Sequence, residues 1–334
     1  MPSLQPGASM RRRQFIGLAG GAAAWPLAVR AQQIEKVWRI GVLDTTPREL
    51  NTEISALFKG LHDAGYAEGQ NLIVEYRSAD GHNERLPELV SELLRLKVDL
   101  MVVRGTPEIL AVKHATSTVP VVMSAVVDPV GIGVAASLSR PGGNITGMSS
   151  FVTELEAKRL QLLREALPGL KRLSALGDFR NTAVLMQFDE LKSAAHSMSI
   201  EVQSYDVRNA DDITYAFAKM ASGEVDAIRV GVDGTTRPNR ALIIDLAARQ
   251  KLPAVYAARE FAFDGGFMSF AADYTNLYLR AAGLVDKILK GANPADLPVE
   301  NPTTFDLVIN LKTAKALGVT MPTSLLVAAN EVIE

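Results

Sequence analysis

Residues 37–76, VWRIGVLDTTPRELNTEISALFKGLHDAGYAEGQNLIVEY, contain the pattern that decides the fold. A short apolar run at 37–43 precedes a stretch of helical period at 50–64, and a second strand-like run follows at 71–76. Gly65 ends the helix, because glycine readily adopts the left-handed conformation that closes a helix. A strand, a helix and a strand at this spacing predict a βαβ unit and therefore two parallel neighbouring strands.

The same alternation of strands and helices continues along the chain. In the first half it predicts strands at 100–103 and 119–124 and helices at 86–96 and 107–116. After a glycine-rich segment at 141–147 it restarts, with helices at 155–167, 182–198, 213–221 and 240–249 and strands at 172–176, 200–205, 227–230 and 254–256. A late strand, helix and strand are predicted at 266–271, 277–290 and 305–310. Because 334 residues exceed what one hydrophobic core usually serves, we expect two α/β lobes.

The first 31 residues have the features of a twin-arginine export signal. Three arginines at 11–13 precede a weakly apolar run rich in glycine and alanine at 17–29. That run is shorter than the roughly 20 apolar residues that a bilayer-spanning helix requires, and it contains Pro26. We therefore expect residues 1–31 to be a cleaved signal and the mature protein to be periplasmic and not embedded in the membrane.

Composition excludes several classes of protein. The chain has no cysteine, which removes disulfides, thiolate catalysis and cysteine-ligated zinc. Four of its 35 basic residues and none of its 37 acidic residues lie in the signal segment, so the remainder carries a net charge near −6. Nucleic acid is therefore not an expected partner, since its binding depends on phosphate neutralisation by lysine and arginine.

Several phrases of the sequence resemble one protein family. They are GYAEGQN at 65–71, SRPGGNITG at 139–147, LVDKILKGA at 284–292, PADLPVE at 294–300 and INLKTAKALG at 309–318. The chain resembles the ABC transporter substrate-binding proteins of the tryptophan/tyrosine-binding type, and the likeness extends over essentially its whole length.

The resemblance implies a type I periplasmic-binding-protein fold, with two doubly wound parallel-sheet α/β lobes joined by three crossovers. We expect the first lobe to comprise residues 32–147 plus 267–302, and the second to comprise 148–266 plus 303–334. On this topology the strand around Met268 returns to the first lobe. Ligands of open α/β sheets bind beyond the carboxyl ends of the strands, so the loops there are the candidates.

In the first lobe the candidate ligand-binding residues follow three predicted strands: Asp44, Thr45, Thr46, Gly105, Thr106, Ser124 and Asp128. Hydroxyls and backbone N–H groups at a helix start can hold a carboxylate, although ordinary N-capping explains Asp44 to Thr46 equally well. Asp128 can pair with an amino group or simply open a turn. Members of the resembled family usually have a small residue where this chain has Arg104, which we expect on the surface unless it faces an acidic ligand.

In the second lobe the candidates are Phe179, Asn181, Asp233, Tyr256 and Glu260. Asp273, with Tyr274, lies near the expected return to the first lobe and can close on the ligand together with Glu260. Phe179 and Tyr256 can stack on an aromatic or apolar ligand, or they can belong to the core. The sequence Asp178-Phe179-Arg180 replaces the Asn-Pro turn that is usual in the family, and Arg237-Pro238-Asn239 is also unusual there.

The resemblance implies a non-enzymatic, monomeric receptor that closes around a small molecule and delivers it to an ABC permease. An amino acid or derivative, aromatic or branched, is the implied ligand; a sugar or nucleoside stays open. No cofactor and no metal are expected, because the four histidines lack ligand spacing and no catalytic motif is present. The alternatives are an exported sensor for a membrane signalling partner and an exported hydrolase using paired carboxylates.

Overall fold

The computed structural model describes residues 36–44, 46–150 and 155–334, and Trp38–Glu334 form one compact unit. That unit contains two β-sheets, and each sheet has a hydrophobic cluster on either face. The predicted signal at 1–31 lies outside the described residues. The α/β fold with two parallel-sheet lobes is confirmed.

The first lobe is built on a five-stranded parallel sheet with strand order β2-β1-β3-β4-β5. Its strands are β1 (Trp38–Asp44), β2 (Leu72–Ser78), β3 (Leu100–Arg104), β4 (Val121–Val126) and β5 (Ile145–Ser149). The helices between them are α1 (Ile54–Asp63), α2 (Leu86–Arg95) and α3 (Thr106–Ala115). The chain winds outward from β1 to β2 and then in the opposite direction from β3 to β5, which makes the sheet doubly wound.

Local sequence explains these elements. Leu86, Leu89, Val90 and Leu93 of α2 recur at helical spacing, and all four side chains are buried. All five residues of β3 are buried, as expected of a central strand that is covered by helices on both faces.

The second lobe is built on a seven-stranded sheet with order β12-β11-β10-β9-β8-β6-β7. Its strands are β6 (Arg172–Gly177), β7 (Glu201–Asp206), β8 (Ala227–Val230), β9 (Ala254–Tyr256), β10 (Met268–Ala272), β11 (Phe305–Asn310) and β12 (Glu331–Ile333). The accompanying helices are α4 (Leu155–Ala166), α5 (Thr182–Ser197), α6 (Ala210–Ser222), α7 (Arg240–Arg249), α8 (Arg259–Phe263), α10 (Leu311–Leu317) and α11 (Thr323–Ala328). In sequence, α9 (Tyr274–Leu289) lies between α8 and α10.

The position of β10 corrects one expectation. The strand around Met268 does not join the first sheet; it pairs in parallel with β9 and antiparallel with β11. Only residues 264–267 separate α8 from β10, which keeps the strand beside its sequence neighbours. The antiparallel pair arises because the chain leaves β10 at the cleft, crosses to the first lobe and re-enters the second sheet from the cleft side.

The helix that follows β10, α9 (Tyr274–Leu289), packs on the first lobe. Leu277, Tyr278 and Ala281 are fully buried in the hydrophobic cluster that also contains Leu57 and Leu61 of α1. The first lobe therefore depends on a helix that is supplied late in the sequence.

The segments that link the lobes lie side by side. Backbone hydrogen bonds join Ser149 and Gly147 to Glu300, at 2.8 and 2.9 Å, and the Asp273 amide donates to the Thr304 carbonyl at 3.0 Å. Gly147 has φ 138°, and a Cβ there would lie 2.3 Å from the backbone nitrogen and oxygen of Met123, so only glycine fits.

Candidate functional site

Loops from both lobes converge at the carboxyl ends of the parallel strands. Arg104 ends β3 and Thr106 begins α3, Ser150 follows β5, and the loop of residues 231–239 follows β8. Tyr274 begins α9 directly after β10. This is the edge at which open α/β sheets bind ligands.

The last residue of β3 is a buried arginine. Arg104 is 6% exposed, and its guanidinium carbon lies 5.1 Å from the ring centroid of Tyr274 and 5.9 Å from that of Tyr278. Its Nη1 atom is 3.7 Å from Asp44 Oδ1 and 4.0 Å from Glu53 Oε2. The expectation of a surface Arg104 is wrong, because two carboxylates and two aromatic rings compensate its burial.

The loop after β8 is organised around Asp233. Its Oδ1 accepts hydrogen bonds from the backbone amides of Thr235 and Thr236, each at 2.8 Å, and its Oδ2 accepts from the Asp178 amide at 3.0 Å. Burial raises the pKa of Asp233. The loop therefore has a fixed backbone shape, and its Arg237 points toward Glu53 of the first lobe.

Arg237 forms an ion pair across the two lobes. Its Nη2 donates to Glu53 Oε1 at 2.8 Å, and its Nε donates to Glu260 Oε1 at 2.5 Å. Burial alone would raise the pKa of Glu53, but the guanidiniums of Arg237 and Arg104 hold it below its ordinary value. Glu53 is therefore ionised at neutral pH.

A second contact shows that the two lobes are closed on one another. A Cβ on Gly81 of the first lobe would lie 2.8 Å from the carbonyl oxygen of Gly234 of the second. Gly81, with φ 83°, has no room for a side chain, and a Cβ on Gly234 would be tight, at 3.3 Å from Gly81 Cα. The glycines let the two backbones meet at the rim of the cleft.

Between the lobes lies a cavity with two adjoining compartments, of about 520 and 410 Å³, both open to solvent. They share Ser150, Gln187, Val232 and Tyr274. The larger compartment is also lined by Arg104, Thr106, Ala125, Val127, Asn181, Ala183, Asp233 and Arg237. The smaller is also lined by Leu155, Glu156, Arg159, Glu190, Ala257 and Ala272. Polar side chains of both lobes therefore face one shared, solvent-open space.

The floor of the smaller compartment is a buried charge network. Glu156, 1% exposed, accepts from Arg159 Nη1 at 2.5 Å and from Arg229 Nε at 2.9 Å. Gln187 Oε1 accepts from Arg229 Nη2 at 2.8 Å. Burial, together with the negative charge of Glu156, raises the pKa of Glu190 to about 7.

Of the residues predicted from sequence, Thr106, Asn181 and Asp233 line the cavity. Asp44 and Glu260 lie one layer behind it: Asp44 accepts from the Tyr278 hydroxyl at 2.5 Å, and Glu260 holds Arg237. These two carboxylates position the side chains that face the cavity.

Four further predicted residues fix the local geometry of loops and helix starts. Thr46 donates its hydroxyl to Asp44 at 3.1 Å, and Gly105, φ 101°, occupies the N-cap position of α3. Asp128 accepts from the Gly131 amide at 2.9 Å, and Asp273 caps α9. Thr45 lies outside the described residues.

Three predicted residues lie away from the cavity lining. Tyr256 is 1% exposed and stacks on Phe261 with centroids 4.8 Å apart, and Phe179 packs edge-on against Phe188 at 5.0 Å. Ser124 is also buried, with its hydroxyl 3.4 Å from the Val103 carbonyl oxygen. Tyr256 occupies the core position that the sequence left open, whereas Phe179 is only half-buried and lines neither compartment of the cavity.

The sequence candidates included Tyr274 but not Glu53, Ser150, Gln187 or Arg237. Glu53 stands in an ordinary amphipathic helical stretch, and nothing in its local sequence separates it from a surface glutamate. Among these missed residues, only Arg237 stood out in the sequence, because its loop differs from the pattern usual in the resembled family.

No group of histidine, aspartate and glutamate side chains in residues 36–44, 46–150 and 155–334 is arranged to hold a metal ion. Within the same ranges, every helix is too short or too polar to cross a bilayer.

Proteins of similar sequence belong to one family. The family model for ABC transporter substrate binding protein matches residues 48–333. The chain is 27% identical over 259 residues to a tyrosine-binding protein of Clostridioides difficile, covering 78% of this chain and 74% of that protein.

Solved structures agree. A conserved domain protein of Vibrio cholerae superposes with TM-score 0.84 at 28% identity, covering 89% of this chain and 100% of that one. An ABC domain from Streptococcus pneumoniae in complex with L-Trp superposes with TM-score 0.81 at 29% identity, covering 89% and 99%. The resemblance noted from the sequence is confirmed: the chain belongs to the family of ABC transporter substrate-binding proteins.

Proposed function

We propose that this protein is the periplasmic solute receptor of an ABC-type importer and that it binds one small molecule between its lobes. The observation that carries the proposal is the cavity whose polar walls come from both lobes, with the buried Glu53–Arg237 ion pair beside it. A ligand in this position contacts both lobes only in the closed form. Its binding therefore shifts the open–closed equilibrium, and the permease recognises the closed form.

The proposed ligand is an amino acid or a derivative. Support comes from two relatives of known ligand, the tyrosine-binding protein and the domain solved with L-Trp. The described lining offers Val127, Val232 and Leu155 as aliphatic contacts and Tyr274 as its single aromatic ring. A branched aliphatic ligand body therefore fits these walls at least as well as an aromatic one.

The proposed role is binding without catalysis. The buried carboxylates Glu53, Glu156 and Asp233 are each held by arginines or by backbone amides, and such bonded carboxylates are poor general bases. Recovery of an unchanged ligand after incubation supports this role, whereas turnover of the ligand contradicts it.

The test combines a ligand panel with scattering. Amino acids, sugars and nucleosides are screened by thermal shift on the purified protein, and each hit is followed by small-angle X-ray scattering. We expect the hit to raise the melting temperature and to reduce the radius of gyration. A saturated protein of unchanged radius contradicts closure around the ligand.

A pair of variants connects closure to the ion pair. Glu53→Gln removes the charge that Arg237 meets across the lobes, whereas Glu75→Gln breaks an ion pair with Arg39 inside the first lobe. We expect Glu53→Gln to weaken binding and to shift the ligand-free protein toward the larger radius, because the pair forms only on closure. Glu75→Gln should leave both quantities unchanged.

A further inference from the structure

Carboxylates outnumber guanidiniums around the inter-lobe cavity. In the described part of the chain, the charged side chains that line the cavity or form an ion pair with a lining residue comprise four guanidiniums and six carboxylates. They belong to Arg104, Arg159, Arg229 and Arg237, and to Asp44, Glu53, Glu156, Glu190, Asp233 and Glu260. Burial raises the pKa of Asp233, but the carboxylates stay in excess when it is left out.

The arginines of the larger compartment need no anion from a ligand. Arg104 Nη1 lies 3.7 Å from Asp44 Oδ1 and 4.0 Å from Glu53 Oε2. Arg237 donates to Glu53 Oε1 at 2.8 Å and to Glu260 Oε1 at 2.5 Å. Among the described residues, the atoms of this group without a hydrogen bond are balanced too, with one nitrogen of each arginine and one oxygen of each glutamate. Three carboxylates therefore surround two guanidiniums.

The smaller compartment has a carboxylate without a partner. Glu190 of α5 lines it and forms no hydrogen bond or ion pair with any residue in the described ranges. The neighbouring Glu156 and Arg159, by contrast, are bonded to each other, and Glu156 also holds Arg229. A carboxylate offers about four acceptor positions, so Glu190 is free to accept from a group inside the cavity.

Two other negative charges act on Glu190, one from each lobe. Burial and the charges of Glu156 and Asp128 raise the pKa of Glu190 to about 7, while Arg159 acts in the opposite direction. Because Asp128 belongs to the first lobe and Glu190 to the second, closure brings like charges toward one another. A cation beside Glu190 offsets this repulsion and favours the closed form.

A buried hydroxyl also points to a polar ligand. Thr106 Oγ1 faces the larger compartment, its residue is 3% exposed, and it has no hydrogen-bond partner in the part of the chain that the structure describes. Buried polar groups are nearly always hydrogen-bonded in native proteins, so a ligand is the expected partner. Ser150 and Tyr274 line both compartments, and a hydroxyl oxygen and an aromatic ring each attract a cation.

We propose that the cavity selects a ligand of net positive charge and that Glu190 binds its ammonium or guanidinium group in the smaller compartment. This inference rests on the proposed function and adds the class of ligand, a basic amino acid or an amine. A ligand of this class neutralises the excess of carboxylates, supplies the partner that Glu190 lacks and separates Glu190 from the charge of Asp128.

The test uses matched probes that differ in one positive charge. L-Arginine is compared with L-citrulline, L-lysine with L-norleucine and 3-methylbutylamine with 3-methylbutanol by isothermal titration calorimetry at pH 8. We expect the probe with the additional charge to bind about 30-fold more tightly than its counterpart. Equal affinities within a pair, or binding of neutral or anionic compounds alone, overturn the proposal.

A variant locates the group that binds the cation. Glu190→Gln keeps the shape of the side chain, and it should weaken binding of the cationic probe by about 30-fold and change binding of its counterpart by less than about 3-fold. Asp189→Asn, on the same helix and 73% exposed, is the matched control and should change neither. Equal losses for both probes, or no loss for either, contradict the role of Glu190.

Binding should also depend on pH. The charged groups that face Glu190 are Glu156 and Arg159 of α4 and Asp128 of the loop after β4. Because a bound cation favours the ionised form of Glu190, affinity for the cationic probe should rise about 10-fold from pH 6 to pH 8. Glu190→Gln should abolish that rise, and a rise that persists in the variant contradicts the assignment.

Mass spectrometry of the ligand that co-purifies with the protein covers ligands outside the panel. A ligand of net positive charge supports the proposal. A neutral or anionic ligand that binds and compacts the protein overturns the preference for cations and leaves the receptor function standing. Ligand binding without compaction contradicts the receptor function itself.

Discussion

Glu156 allows the structural interpretation to be tested without knowledge of the ligand. This glutamate of α4 is 1% exposed and is the shared counterion of Arg159 and Arg229, which are 5% and 2% exposed. Arg159 Nε also donates to the Phe270 carbonyl of β10 at 2.7 Å. The network therefore joins α4 to β8 and β10. Glu156→Gln keeps the shape of the side chain and removes its charge.

The expected cost is large because both arginines stay buried. Removing one partner of a buried ion pair typically costs about 3–5 kcal/mol, and glutamine keeps one acceptor oxygen, so we expect about 3 kcal/mol. For a lobe of this size, that corresponds to a fall in melting temperature of roughly 6–12 °C.

The effect also depends on pH with a definite sign. Burial would raise the pKa of Glu156, but Arg229 and Arg159 hold it below the ordinary value of 4.5. Because the folded-state pKa is lowered, the stabilisation is fully present at neutral pH and is lost as pH falls through that folded-state value. The difference between wild type and variant should therefore be full at pH 7 and should shrink in acid.

Urea denaturation followed by circular dichroism at pH 7 measures the difference. Glu201→Gln, an exposed glutamate on β7 of the same lobe, is the matched control and should change stability by less than about 0.5 kcal/mol. A loss below about 1 kcal/mol for Glu156→Gln would refute the view that this network is a buried, charge-balanced unit of the second lobe.

Further predictions concern the hinge, a buried acid and the cavity wall. Gly147→Ala should cost at least about 3 kcal/mol or prevent folding, because its Cβ meets the backbone of β4, whereas Gly143→Ala meets nothing within 4 Å and should be tolerated in the same melts. Burial raises the pKa of Glu108 to about 8, so this residue should lower wild-type stability as pH rises from 4.5 to 8, and Glu108→Gln should reduce the fall in urea midpoint between pH 5 and pH 9. Tyr274→Leu should weaken ligand binding by about 10-fold, while Phe179→Leu, outside the cavity, should leave calorimetric affinity unchanged; the reverse order would contradict the site.

Most of the fold could be predicted because strand and helix periods are local. The predicted boundaries of α7, β8, β9 and β11 coincide with those observed. The sheet to which β10 belongs could not be read from its residues, since a buried strand of MSFAA composition fits either lobe. The short connection between α8 and β10 indicated that the strand belongs to the second sheet. The prediction instead followed the topology that the family resemblance implied, with a return to the first lobe.

The candidate site was predicted only in part, because its central contacts join residues far apart in sequence. Glu53 and Arg237 are separated by 184 positions, and neither shows locally that it is buried. Arg104 was expected on the surface because arginine burial requires partners, and those partners lie on other elements. Thr106 and Asn181 were predicted because each stands at the start of a helix that follows a strand, and open α/β sheets bind ligands at that edge.

Closure of the two lobes on a ligand shortens the distance between them, and a spin-label pair measures that distance. The chain has no cysteine, so Glu88→Cys on α2 and Asp211→Cys on α6, both exposed, place a single spin-label pair across the lobes. Double electron–electron resonance should show a distance distribution that shifts to shorter values when the ligand saturates the protein. An identical distribution with and without saturating ligand would contradict the account.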